Sequence, residues 1–359
     1  MEPLKNMFNR EVIEKISTEI TKIYKNFAGE LFVNDCLDDT WENLELKERM
    51  HHIAVTLRTY LPENYAESLE ILKQVKPQFS GFESITLPDY VETYGLEYFD
   101  ESIDALKVFT INSSSEFAVR PYIKKYGQKM MDVMFAWSND NNEHVRRLSS
   151  EGCRPRLPWA MALAEFKKDP SSILPILENL KDDPSEYVRK SVANNLNDIS
   201  KDHPGLVIQI AEKWLGVTPE RDKLVKHALR TLLKKGNPKA LALFGFGSDE
   251  LIKVSEFGVD NQNPKIGEEF NFFMKIENSS PVPKKIRVEY RMDFVKKAGK
   301  RSGKIFQIFE KDFLPGEKIS TNRKHSFLNR TTRTHYPGEH TITLIINGEE
   351  KLSVNFQLD

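Results

Sequence analysis

Asn142-Glu143-His144-Val145-Arg146-Arg147-Leu148-Ser149-Ser150-Glu151-Gly152-Cys153-Arg154 reads as one helix. Its opening pair, Val145-Arg146, has counterparts along the chain at Val119-Arg120, Val188-Arg189 and Val225-Lys226, each expected near the start of a helix, at intervals of 26, 43 and 37 residues. The last two intervals suit helix-pair repeats of the HEAT type, and the first marks an irregular unit. Apolar residues recur at helical spacing elsewhere too, as in Val12, Ile13, Ile16, Ile20 and Ile23, with breaks at Gly216 and at Gly236 and Pro238. Asp183-Pro184 reads as an N-cap followed by proline at the first helical position. Residues 1–248 are therefore expected to form an all-α HEAT-like helical-repeat solenoid, with the second helices of successive units lining a concave surface.

Near residue 250 the period changes from helical to alternating. Glu269–Glu277, Lys285–Phe294, Lys304–Phe309, His340–Ile346 and Leu352–Leu358 alternate like strands. Between them stand turn signals: Asn278-Ser279-Ser280, Ala298-Gly299, Pro315-Gly316, Pro337-Gly338 and Asn347-Gly348. About seven short strands in so short a segment predict a C-terminal all-β immunoglobulin-like sandwich over residues 249–359.

The 359 residues carry a net charge of −1, with 39% hydrophobic and 29% charged residues, an ordinary globular composition. No apolar run reaches membrane-spanning length, and the first ten residues lack a signal-peptide core. Two cysteines, Cys36 and Cys153, make neither a disulfide framework nor a zinc-site spacing, so a reducing cytoplasm is expected. The eight histidines show no HxxxH spacing, and neither a GxGxxG nor a P-loop is present, so no metal, cofactor or nucleotide is expected. Charge is uneven along the chain: −9 over residues 1–100, +3 over 101–250 and +5 over 251–359. That distribution leaves the later part free to face phosphates.

The candidate site residues lie on the expected inner helices. Arg147, Glu151 and Arg154 share one helical face, Lys190, Asn194 and Asp198 share the next, and His227, Thr231 and Lys234 the one after. Singly, each is explained by intrahelical ion pairing on a solvated face; aligned across repeats, they describe a binding groove. The loop Cys153-Arg154-Pro155-Arg156-Leu157-Pro158-Trp159 is stiffened by two prolines and presents two arginines and a tryptophan. Trp159 either starts the next helix and packs in the core or contacts a sugar or base, with the arginines on phosphates. Ser113-Ser114-Ser115 reads as a cap, with Glu116 in the first turn of the helix it opens.

Asn6-Met7-Phe8-Asn9, Ser115–Pro121, His144–Leu148, Ser150–Trp159 and Ser191–Lys201 together resemble the AlkC branch of the HEAT-like alkylpurine DNA glycosylases. The resemblance covers the whole helical part, and the basic sandwich resembles the immunoglobulin-like domain of some members. It implies removal of cationic N3-methylated bases, 3-methyladenine and 3-methylcytosine, from double-stranded alkylated DNA without full base flipping. It implies Glu116, Glu151 and Asp198 as active-site acids, Trp159 as the sugar-contacting aromatic, and Arg147 and Arg154 as clamps on DNA. Arg156 and Lys190 are further candidate DNA contacts. In the sandwich the candidates are Lys296 and Lys297, clustered with Lys300 and Arg301, and Arg323 and Arg333, clustered with Lys324 and Arg330. Both clusters are expected in turns, and the protein is expected to act as a monomer.

The chemistry suits those residue types. An N3-methylated base is already cationic and departs neutral, so cleavage needs a carboxylate beside the oxocarbenium-like sugar and a carboxylate to activate water. Two readings compete: a non-catalytic HEAT scaffold for a protein partner, and a protein that binds distorted DNA without cleaving it.

Overall fold

The computed structural model describes residues 3–247, 250–329 and 333–359. The expected change-over at 248–249 and Arg330 lie outside the described residues. By compactness the chain divides into two units, residues 1–228 and 229–359.

The first unit is helical. Its helices are α1 (Arg10–Ile23), α2 (Gly29–Cys36), α3 (Leu46–Tyr60), α4 (Tyr65–Val75), α5 (Thr86–Tyr94), α6 (Phe99–Phe109) and α7 (Val119–Tyr126). There follow α8 (Gln128–Trp137), α9 (Glu143–Glu151), α10 (Ala164–Lys168), α11 (Leu174–Leu180), α12 (Glu186–Ile199), α13 (Pro204–Trp214) and α14 (Pro219–Ala228). The hairpins α8–α9, α11–α12 and α13–α14 stack, so that α12 packs between α9 and α14 as the middle of one row. This is the helical-repeat arrangement that the spacing of the Val-Arg pairs predicts.

Those pairs have a mechanical role in two repeats. Val145 and Val188 are buried between the hairpins. Arg146 Nη1 donates to the carbonyls of Asp140 and Asn141, and Arg189 Nη1 to those of Asp183 and Pro184. Each arginine thus ties down the loop that enters its own helix. Aspartate starts both loops: Asp140 accepts from the Asn142 amide and Asp183 from the Ser185 amide. Asp183 also takes a two-pronged ion pair from Arg146, at 2.6 and 3.0 Å.

Three local expectations change. Ser185, not Asp183, occupies the N-cap position, because the Asp183 carboxylate is committed to that turn and to Arg146. Val225 lies in the second half of α14 rather than near its start. The expected face of His227, Thr231 and Lys234 is broken, because α14 ends at Ala228 and Leu229, with ψ of 0°, interrupts the helix.

The second unit opens with two short helices, α15 (Arg230–Lys234) and α16 (Pro238–Leu243). Among the described residues seven strands follow: β1 (Ile252–Val259), β2 (Glu269–Asn278), β3 (Lys284–Val295), β4 (Arg301–Phe313), β5 (Lys318–Ser326), β6 (Gly338–Ile346) and β7 (Glu349–Leu358). All pairings are antiparallel, in a three-stranded sheet β1-β2-β5 and a four-stranded sheet β4-β3-β6-β7. Alternate residues of each sheet, such as Phe272, Met274 and Ile276 on β2 and Ile342, Leu344 and Ile346 on β6, meet in one apolar core. This is the expected immunoglobulin-like sandwich.

Asn347-Gly348 joins β6 to β7 with both residues at positive φ, the tight hairpin turn this dipeptide favours. The turn also receives the helical lead-in. A Cβ on Gly236 would lie 2.8 Å from the Gly348 carbonyl oxygen, so only glycine permits this approach. Asn347 Nδ2 donates to the Gly247 carbonyl at 2.7 Å.

Candidate active site

The site begins with the way α9 is locked to α12. Ser150 Oγ and Ser191 Oγ are hydrogen-bonded at 2.7 Å in the buried interface, and Asn195 Nδ2 donates to the Ser150 carbonyl at 2.8 Å. Gly152 must be glycine, since a Cβ there would meet Val119 Cγ2 at 2.5 Å and prise α7 from α9. These contacts fix Glu151 and Arg154 opposite Asp198.

Six charged side chains then alternate in one chain. Arg147 Nη1 donates to Glu116 Oε2 at 2.8 Å, and its Nη2 lies 3.6 Å from Glu151 Oε1. Arg154 Nη1 donates to the same Glu151 oxygen at 2.6 Å, and its Nε donates to Asp198 Oδ2 at 2.9 Å. Lys201 Nζ closes the series on Asp198 Oδ1 at 2.9 Å. Glu151 is 4% exposed, Asp198 1% and Arg154 7%. Charges buried this deeply persist only when paired and hydrogen-bonded. Burial works against the charge on Arg147, but Glu116 and Glu151 outweigh it and hold the guanidinium above its ordinary pKa. Glu151 and Asp198 do the same for Arg154. The three acids and three cations balance, so the network keeps carboxylates available without concentrating repulsion among them.

After α9 the chain runs through residues 152–163 without helix. Arg120, 0% exposed, reaches into this segment and donates to the carbonyls of Gly152, Arg154 and Met161, at 2.8, 2.9 and 2.8 Å. Burial pushes its pKa down to about 10. Within the segment, Trp159 is 60% exposed and sits at φ +63°. A bulky side chain in that left-handed region is strained by roughly 1–3 kcal/mol, a cost that tends to mark functional positions. Trp159 therefore neither starts a helix nor packs in the core. It forms one wall of an open pocket of about 650 Å³, whose other walls include Phe82, Phe117 and Tyr187 and whose polar lining includes Glu116, Glu151, Arg154 and His144.

Comparison with known proteins names the framework. Residues 17–235 match the family model described as DNA alkylation repair enzyme. The chain belongs to the DNA alkylation repair enzyme family. Residues 253–359 match a second model, the C-terminal Ig-like domain of the uncharacterised protein YhaZ. The uncharacterised protein YhaZ of Bacillus subtilis strain 168 is 46% identical, with both chains covered completely. The alkylpurine DNA glycosylase AlkC of Pseudomonas fluorescens, solved bound to DNA containing an abasic site analogue, is 40% identical, with a TM-score of 0.96 and both chains covered completely. The resemblance drawn from the sequence motifs is thus borne out, and the architecture is AlkC-like.

Within this family framework the structure brings Glu116, Arg147, Glu151, Arg154 and Asp198 into one network and sets Trp159 beside it. The serines do not cap α7, whose N-cap position is Ala118, and Glu116 is not in its first turn. Helix α7 starts only at Val119, and Glu116 lies in the preceding turn, held by Ser114 Oγ at 2.8 Å and drawn toward Arg147. Arg154 is a strut between two acids rather than a surface cation. Arg156 is committed to Asp202 at 2.6 Å, and the exposed Lys190 to Glu186 at 2.9 Å.

In the second unit, Lys296, Lys297 and Lys300 are exposed around the β3–β4 turn. Arg323 and Lys324 lie on β5 rather than in a turn, because their segment pairs with β2. Arg333 folds over the rings of Phe294 and Phe306, 4.9 and 5.8 Å from their centroids.

Sequence reasoning gave no role to four residues that the geometry brings to the site. These are Arg120, Tyr187 (its ring 4.6 Å from the Arg147 guanidinium), Lys201 and Lys47, whose Nζ donates to the Trp159 carbonyl at 2.9 Å. Arg120 carried a signal, being one of the recurring Val-Arg pairs; Lys47, on a distant helix, carried none. Burial pushes the Cys153 thiol up to about 12, which removes it as a nucleophile. Among the described residues no cluster of His, Cys, Asp or Glu could hold a metal ion, and no helix is long and apolar enough to cross a membrane.

Proposed function

We propose that this chain is a monofunctional DNA glycosylase that hydrolyses the N-glycosidic bond of cationic N3-methylated bases in duplex DNA. One observation carries the reading: two carboxylates, Glu116 and Glu151, line an open pocket together with the exposed, strained Trp159, and Arg154 ties Glu151 to a third carboxylate, the buried Asp198. The 40% identity to a glycosylase solved on DNA with an abasic site analogue supports it.

A carboxylate about 4 Å from the sugar is worth ~4 kcal/mol at an effective dielectric of 20, roughly a thousandfold in rate. That lowers the barrier enough for a base already weakened by its own charge and leaves normal bases in place. Selectivity then rests on the leaving group, and the open cleft has no need to enclose a flipped base. Arg147 and Arg154 orient the acids, and Trp159 contacts the deoxyribose. The exposed cations of the sandwich, Lys296, Lys297, Lys300 and Arg323, contact phosphates. The product is an abasic site in an intact strand, since Lys201 is engaged by Asp198 rather than directed at a sugar.

The test is incubation of the protein with methylated duplex DNA, followed by identification of released bases. Release of 3-methyladenine or 3-methylcytosine, with the strand intact and no borohydride-trapped adduct, is the expected result. DNA binding without release would make the protein a distortion reader. Failure to bind would make it a scaffold for another partner.

A further inference from the structure

Trp159 is held from two directions. Arg120, at the start of α7, donates Nε to the Met161 carbonyl at 2.8 Å, two residues beyond the tryptophan. Lys47, in the first turn of α3, donates Nζ to the Trp159 carbonyl itself at 2.9 Å and lies 4.9 Å from the centroid of the Phe117 ring. Phe117 and Trp159 are both walls of the same pocket. One ammonium therefore touches one lining residue with its charge and the backbone of another with a hydrogen bond. Neither contact uses the indole, which stays exposed.

A residue with a branched or bulky side chain leaves the left-handed region unless its peptide groups are restrained. Here the Ala160 N–H closes the turn locally on the Leu157 carbonyl at 3.3 Å, and two cations on two carbonyls, both supplied by helices remote in sequence, brace it from outside. From this we infer that Lys47 is a positioning residue: it fixes the Trp159 backbone at positive φ and so presents the indole to the pocket. The inference rests on the proposed role of Trp159 at the sugar. Lys47 acts through Trp159 and has no part in the chemistry. The carboxyl groups of Asp89 and Glu92 on α5 add a favourable field around the ammonium. Such a charge-assisted bond is stronger than a neutral one.

Lys47 is exposed, so Lys47→Met, which keeps the aliphatic stem and removes the ammonium, is expected to fold with an unchanged Tm. Single-turnover base release from methylated duplex DNA should fall roughly ten- to a hundredfold, as misplacement of a positioning group does. Lys47→Arg should restore most of it. In a Trp159→Ala background, Lys47→Met should cost less than about twofold more, because a residue acting through Trp159 has nothing left to position. Losses that multiply, or a shallower salt dependence of DNA binding in Lys47→Met, would overturn the inference and make Lys47 a phosphate contact. Acrylamide quenching of Trp159, isolated by subtracting the Trp159→Phe signal, provides a readout independent of activity. It should change in Lys47→Met; identical quenching overturns the inference whether or not the protein releases any base. Conversely, if quenching changes while Trp159→Ala keeps wild-type release, the positioning stands and the proposed role of Trp159 fails.

Discussion

Asp198→Asn removes one charge and disturbs two cations. Asp198 accepts from Arg154 on one oxygen and from Lys201 on the other while 1% exposed, so the amide turns a donor toward a cation that needs an acceptor. Breaking a buried pair by removing one partner costs about 3–5 kcal/mol. Glu116 sits nearer the surface and faces one arginine and a serine, so Glu116→Gln is expected to lower Tm less than Asp198→Asn. Both should reduce base release by up to about a thousandfold when assayed where each variant is folded; a wild-type rate in either would remove that carboxylate from the mechanism. Trp159→Gly is expected to behave in the opposite way for stability. The indole is 60% exposed and φ is +63°, so glycine relieves strain of roughly 1 kcal/mol and forfeits little burial. Tm should stay level or rise while base release falls. A clear loss of Tm in thermal unfolding would show the ring to be a packing anchor.

At the scale of elements, His325 on β5 governs how the sandwich responds to acid. Tyr290 Oη lies 2.8 Å from its Nδ1, its Nε2 has no hydrogen-bond partner among the described residues, and the rings of Phe294, Phe306 and Phe327 surround it. Besides the Tyr290 hydroxyl, the charged and titratable groups that act on it are His335, Arg333, Lys304 and His340, all of the sign that opposes protonation. Burial first, then these cations, push its pKa down from 6.5 to about 4. A base whose folded pKa is depressed binds its proton more readily when unfolded, so stability is complete above pH 6.5 and is lost as pH falls from there toward about 4. The loss amounts to roughly 3 kcal/mol. Denaturant midpoints of the second unit across that window should fall with acidity, and His325→Phe should flatten the slope; an unchanged slope would mean the proton is taken up elsewhere. His325 also shows what the sequence could and could not disclose. β2, β3, part of β4, β6 and β7 were legible in the alternation of the sequence between turn signals. β1 and β5, edge strands of the smaller sheet, expose too much to alternate cleanly. Helix α9 and its loop were legible because periodicity, Val-Arg recurrence and two prolines coincide. Lys47 was not, because its hydrogen bond to Trp159 spans 112 residues and leaves no local pattern.

Across the whole molecule, charge is segregated: −9 over the first hundred residues and +5 over residues 251–359. Several of the later cations are spent on carboxylates, as Lys324 is on Glu269 and Arg301 on Glu339, so net charge overstates what phosphates can meet. The β3–β4 turn, with Lys296, Lys297 and Lys300 exposed, is the better candidate. Replacing all three with glutamine should lower the slope of log K against log salt by ~0.9 for each phosphate left without its lysine, with Tm unchanged. A slope equal to that of the wild type would mean this turn faces solvent in the complex. The back-to-back glycines of the lead-in bear on how the sandwich can be inherited. Gly236 and Gly348 meet so closely that α15, α16 and the β6–β7 turn share one surface, with Leu241 and Phe246 seated in it. A chimaera that borrows only residues 249–359 leaves that seat empty and carries a raw apolar patch into its new host. The transplantable organ begins at residue 229, inside what the sequence presents as the tail of the helical repeat.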